Sequence, residues 1–247
     1  MKRWWLTVVL AAVVIGLAVW LAFPEDRAGR LVSAYADDPT LAAQVVHLGP
    51  EAVAPLCEAL ERLPASGLTE AQGRAMINYV VALDAIAAGW PYTTGQSMPV
   101  LLRTLQRLED DSSRRLLMDT VGRAFKQSAV SPMLDVMEDE YRLVTSDAAA
   151  PLPSEPAVAE LLRRMGAARC LPVLEARLQA TATDFRRPLV RMVVVFAPDE
   201  QVGAVLARAL AEEQDAERRA WLEQTIAGLP DKAKPAARDE AAEGSTP

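Results

Sequence analysis

A chain of 247 residues that is 51% hydrophobic carries enough apolar side chain for one or two cores, which excludes both a disordered polypeptide and a miniprotein held together by disulfides. Aromatics make up only 5% of residues, and Ala, Leu and Val dominate the apolar set, a balance that favours helices and predicts an all-α fold. The formal charge of −7, with Lys2, Lys126, Lys232 and Lys234 as the only lysines, argues against a nucleic-acid surface, while two cysteines and one histidine exclude a Cys-x-x-Cys knuckle and a two-histidine metal site.

The chain opens with a short basic leader, residues 1–3, followed at residues 4–23 by WWLTVVLAAVVIGLAVWLAF, which has no charge and only Thr7 as a polar side chain. At about 1.5 Å rise per residue, roughly 20 residues cross the roughly 30 Å hydrocarbon layer. Trp4 and Trp5 stand at one end and Trp20 at the other, where indoles favour the headgroup interface. A cleaved signal peptide is the competing reading, with Gly16-Leu17-Ala18 as its small-x-small site, but the apolar run continues past it to Phe23. The expectation is therefore an uncleaved single-pass signal anchor. Lys2 and Arg3 favour a cytoplasmic amino terminus, although Arg27 and Arg30 flank the other side. The remainder is then extracytoplasmic, in the periplasm if the span lies in an inner membrane.

Residues 24–38 read as a juxtamembrane connector. Leu41, Val45, Val46 and Leu48 then form the apolar face of a helix, Gly49-Pro50 stops it, and Leu56 and Leu60 mark a second helix. The device recurs: Pro99 precedes Leu101 and Leu105, Pro132 precedes Met133 and Met137, Pro172 precedes Leu174 and Leu178, and Gly203-Ala204 precedes Leu206 and Leu210. The second members of these pairs, at 60, 105, 137, 178 and 210, are separated by 45, 32, 41 and 32 residues, intervals that suit helix-pair repeats. Each later second helix follows an apolar partner: Met76, Val80, Leu83 and Ile86; Leu117, Val121 and Phe125; Val158, Leu161, Leu162 and Met165; Leu189, Met192, Val193 and Phe196. The run MVVVFA at 192–197 is short enough for a strand, but its place in the repeat favours a helix.

Leu63–Gly73 and Gly89–Ser97, with their prolines and glycines, are predicted loops. Thr145–Pro156, TSDAAAPLPSEP, is the longest interruption and reads as a flexible seam between two groups of helices. Trp221, Leu222, Ile226 and Leu229 mark a final helix that would cap the array. Residues 231–247 have too few apolar side chains to offset their ordering entropy, which predicts a disordered tail.

The stretch VVHLGPEAVAPLCEALERL resembles a HEAT repeat, and MGAARCLPVLEARLQ and VGRAFKQSAVSPMLDVME resemble weaker copies. The Trp-Leu-Gly-Tyr pattern of a tetratricopeptide array at a fixed period of about 34 residues is missing. The likeness covers about residues 39–229. It implies a right-handed solenoid of about five antiparallel helix pairs over residues 39–230, used mainly to bind other macromolecules and needing no cofactor.

His47 ends a helix, where a hydrogen-bonding or positive side chain suits the dipole, and Cys57 and Cys170 read as small packing residues. Glu109-Asp110-Asp111 and Glu138-Asp139-Glu140 lack calcium-loop spacing and read as solvated charge. Arg163-Arg164, Arg186-Arg187 and Arg218-Arg219 lack interleaved aromatics for base stacking. Two residues before the ruler positions stand Glu58, Arg103, Asp135 and Arg208, with Ala176 breaking the series. These four charges are the candidate partner surface, either weakly paired between neighbouring helices or forming a mixed-charge groove. The functional expectation is a membrane-anchored scaffold that binds a protein, with no catalytic, cofactor or metal residues assigned. The alternatives are a helical ligand-binding or enzyme-like domain with a pocket between helices, and a purely structural envelope component.

Overall fold

The computed structural model describes residues 24–144 and 150–235. The leader, the apolar run at 4–23 and the tail beyond Pro235 lie outside the described residues. Among those described, no helix is long and apolar enough to cross a membrane, and every regular element is helical. The chain divides into two compact units at Phe125 and Lys126. Lys126 takes a left-handed φ of 48°, uncommon for a residue with a Cβ.

The first unit contains α1 (Pro24–Asp37), α2 (Ala42–His47), α3 (Val53–Glu61), α4 (Glu70–Gly89), α5 (Thr93–Arg107) and α6 (Asp111–Ala124). Residues 24–38, expected as a connector, are instead mostly α1. Its apolar positions repeat at helical spacing, so Ala28, Val32 and Tyr35 are all buried, and the Tyr35 hydroxyl donates to the Asn78 carbonyl of α4 at 3.1 Å. Beyond α1, α3 packs on α4 and α5, and α4 packs on α5 and α6. Leu56, Leu60, Met76, Val80, Leu83, Ile86, Leu101, Leu105, Leu117 and Val121 form the core between them. Each such burial is worth about 1.5–3 kcal/mol before entropy is counted.

Both predicted loops are shorter than expected. Thr69 and Gln72 form a reciprocal capping box that starts α4 at Glu70, and only Trp90–Tyr92 separate α4 from α5. Two prolines are also placed differently. Pro55 and Pro132 lie in the first turn of their helices, but Pro99 and Pro172 lie inside theirs. The residues four before them, Gly95 and Ala168, are exposed, so water can reach the carbonyls that proline leaves without a donor.

The second unit contains α7 (Val130–Val144), α8 (Glu155–Met165), α9 (Ala167–Ala180), α10 (Arg186–Phe196), α11 (Asp199–Glu212) and α12 (Ala216–Ala227). Here too each helix packs on the next, and α7 on α9, α8 on α10 and α9 on α11 repeat the next-but-one contact. Residues 192–196 of MVVVFA are helical, with Met192, Val193 and Phe196 buried and Val194 and Val195 exposed, a helical period rather than strand alternation. Gly166, at φ 93°, is the single residue between α8 and α9.

The described half of the expected seam is pinned rather than loose. Leu152 is buried, the Ser154 N–H and hydroxyl both donate to Glu140, and Glu155 accepts from the Leu152 N–H at 2.9 Å. The expected tail is likewise ordered at its start: residues 231–233 form a 3-10 turn against α11 that buries Ala233. A Cβ on Gly203 would overlap the backbone of Ala233, Lys234 and Pro235, so the close approach needs glycine. The final helix α12 buries Leu222 of its own residues, and Leu229 is buried just past its end.

Candidate interaction surface

The second helices of the expected pairs are α3 and α5 in the first unit and α7, α9 and α11 in the second. Leu60, Leu105, Met137 and Leu178 are buried on them as the spacing predicts, and Leu210 is half-buried. Glu58, Arg103, Asp135 and Arg208 are all exposed beside these apolar stripes.

Their partners differ from a simple column. Glu58 accepts from Arg62 one turn along its own helix at 2.8 Å. Arg103 of α5 reaches back to Glu61 of α3 at 2.8 Å. In the second unit Asp135 accepts from Arg177 of α9 at 2.8 Å, with Glu138 on the same guanidinium, and Arg208 of α11 reaches Glu175 of α9. The recurring unit is thus an arginine one or two residues before a ruler position, bonded to a carboxylate on the preceding second helix. Two of those carboxylates, Glu61 and Glu138, stand one residue after the ruler, and Glu175 stands three before it, one helical turn away on the same stripe. A fixed offset of two residues therefore misses Glu61, Glu138, Glu175 and Arg177. Charged residues within three positions of each ruler residue were the available signal.

These pairs are weak. Arg103 and Glu61 are 60% and 46% exposed, which places their pair in the range of about 0.2–1 kcal/mol. Two neighbouring interactions are firmer. Arg107 donates to the Leu63 carbonyl and, at 3.1 Å, to that of Leu60, which also accepts from the Leu63 N–H at 3.3 Å, and so ties α5 to the end of α3. Arg186 likewise donates to the Leu178 carbonyl of α9 at 3.1 Å.

Several other charges are buried or committed. Arg186 and Glu213 form an ion pair with side chains only 6% and 3% exposed. Arg218 donates to both oxygens of Glu213 at 3.2 Å, and the Asp215 N–H adds a fourth bond at 3.0 Å. Burial by itself would raise the Glu213 carboxyl, but the bonds from Arg218, Asp215 and Arg186 outweigh it and hold it down at about 2. Glu155 is also buried, gripped by Arg191 through both oxygens. Arg187 stacks over Trp221 at 5.6 Å and donates to Glu217 at 3.0 Å. Asp110 caps α6 by accepting from Ser112 and Ser113, and these hydrogen bonds lower its carboxyl to about 2.

Cys57 and Cys170 are free and buried. Burial, reinforced by Glu61 and opposed by Arg103, pushes the Cys57 thiol up to about 12, and burial opposed by Arg169 brings that of Cys170 to about 11, so both stay protonated near neutral pH. His47 is exposed at the end of α2, on a groove shared with α1. No group of three or more His, Cys, Asp or Glu side chains among the described residues is placed to hold a metal ion.

Comparison of the chain with protein-family models, with curated proteins and with solved structures gave no match.

Proposed function

We propose that this chain is a membrane-anchored, extracytoplasmic scaffold whose HEAT-like helical solenoid binds another protein along its second helices. The observation that supports this most is the packing rule common to both units. Within each unit second helices pack on second helices, α3 on α5 in the first and α7 on α9 and α9 on α11 in the second, so that neighbouring outer faces lie side by side. Arg103, Glu61, Asp135, Arg177, Glu175 and Arg208 decorate those faces with both signs of charge. Because such pairs add little stability, their side chains remain free to exchange one carboxylate or guanidinium for another on a partner. The apolar run at 4–23 supplies the anchor, and Lys2 and Arg3 keep the amino terminus in the cytoplasm.

Crosslinking in intact membranes, followed by identification of the captured protein, tests the scaffold reading. Capture should fall when Arg103 and Arg208 are both changed to Glu while helical circular dichroism is retained. Capture equal to that of the native chain would remove these faces from the interface. A carboxyl-terminal reporter active only in the cytoplasm would reverse the proposed topology.

A further inference from the structure

We propose that the turn Trp90-Pro91-Tyr92 between α4 and α5 docks into the headgroup interface of the bilayer, a reading that rests on the membrane anchor proposed above. Residues 88–92 are all exposed, with Trp90 at 38% and Tyr92 at 60%. Between Asp84 and Arg103 the sequence carries no charged residue, although charged residues make up 24% of the chain. The turn can therefore leave water without burying an ion of its own. Its backbone is largely closed on itself, since the Thr93 N–H and hydroxyl both donate to the Trp90 carbonyl and the Thr94 N–H donates to that of Pro91. Trp and Tyr, each with an apolar body and one polar tip, favour the layer where hydrocarbon gives way to headgroups.

Position selects a bilayer over a protein partner. Ala28 and Gly29, near the start of α1, share a cleft with Pro50, Glu51 and Ala54, and Gly49 beside them lies against the Trp90 ring. Further along, Tyr35 meets Asn78, so α1 runs opposite to α4. Pro24 lies 11 residues before Tyr35 and Trp90 lies 12 after Asn78, which at about 1.5 Å of rise per residue carries them about 16 and about 18 Å in the same direction. Both then stand at one level, on packed helices whose axes are about 8–10 Å apart. Pro24 is joined directly to Phe23, the last residue of the apolar run. The anchor therefore brings this end of the first unit to the membrane surface, and not the end where α4 starts. Exposed Arg27, His47 and Glu51 belong to the same end. Such groups stay in the hydrated headgroup layer, so the contact is interfacial and stops short of the hydrocarbon.

The test places a nitroxide label by Gly95→Cys, exposed in the first turn of α5 where a Cβ meets nothing within 4 Å, and in a second chain by Ser66→Cys, exposed just before the opposite end of α4. Cys57 and Cys170 are buried, and labelling of the unsubstituted chain measures their contribution. In phosphatidylcholine nanodiscs holding one full chain each, collision with a water-soluble nickel chelate should be severalfold lower for the Gly95 label than for the Ser66 label, and collision with oxygen higher. Tyr92→Asp should return the Gly95 label to the level of the Ser66 label with helical circular dichroism unchanged, because Trp90 keeps its contact with Gly49. Equal nickel collision at the two positions would overturn the proposal, as would protection that survives Tyr92→Asp. Protection that appears only with two chains per disc would assign the turn to contact between copies, and the lipid docking falls. A chain that fails to co-elute with the discs would remove the anchor and the docking with it, a result distinct from an anchored chain whose turn stays in water.

Discussion

Trp90 lies flat over Gly49, so closely that a Cβ at Gly49 would stand 2.8 Å from its ring. Gly49 also takes a φ of 57°, which costs a residue with a Cβ about 1–2 kcal/mol. The Gly-Pro break is therefore two constraints at one residue, a left-handed turn and a surface for an indole. Gly49→Ala should lower stability by about 1–2 kcal/mol by the backbone term alone. Because the Cβ meets the Trp90 ring, Gly49→Ala combined with Trp90→Ala should cost less than the sum of the two changes, by whatever the displaced ring loses in the single variant. Urea midpoints of the four chains in that cycle check this, and an unmoved midpoint for Gly49→Ala would contradict the turn.

Leu60 and Leu174 are fully buried in the first and second units. Truncation of either to Ala should cost about 2–5 kcal/mol, the range set by how far each cavity can relax. Denaturant unfolding followed by helical circular dichroism reads the loss.

The Glu213 knot sets an acid limit. Its carboxyl is held at about 2, below the ordinary 4.5, so the folded state binds that proton less readily than the unfolded state. The stabilisation is complete above about pH 4.5 and is lost as pH falls toward 2, to the extent of about 3 kcal/mol. Glu213→Gln should remove this acid-dependent component and, by leaving Arg186 buried without its counter-charge, lower stability near neutral pH by about 3–5 kcal/mol. Melting temperatures of both chains between pH 2 and pH 7 separate the two effects.

For the exposed pairs the expected result is the opposite. Arg103→Glu faces Glu61 with a like charge, yet the melting temperature should shift only slightly, because the pair contributes about 0.2–1 kcal/mol. The exchange Glu61→Arg with Arg103→Glu should restore whatever stability is lost. Partner capture should not recover with it, since the charges then face outward in the wrong order. Recovery of capture would assign these residues a purely structural part.

What could be read in advance follows the distance over which each cause acts. Leu60, Leu105, Met137 and Leu178 announce their burial because apolar spacing along one helix determines it. Local chemistry also marked Gly49, although its contact with Trp90 was invisible. Arg186 and Glu213 lie 27 residues apart, and Arg191 and Glu155 lie 36 apart. Nothing near any of them in sequence distinguishes a buried ion from a solvated one. Burial of a charge is decided by its partner, and the partner is supplied by the fold. The same limit applies to the four-residue column, whose neighbours Glu61, Glu138, Glu175 and Arg177 depend on the register of one helix against the next.

The turn over Gly203 fixes how the chain leaves α11. A Cβ at 203 would push away the backbone from Ala233 to Pro235, so any larger residue there would strip the cover from that side of α11 and expose Ala233.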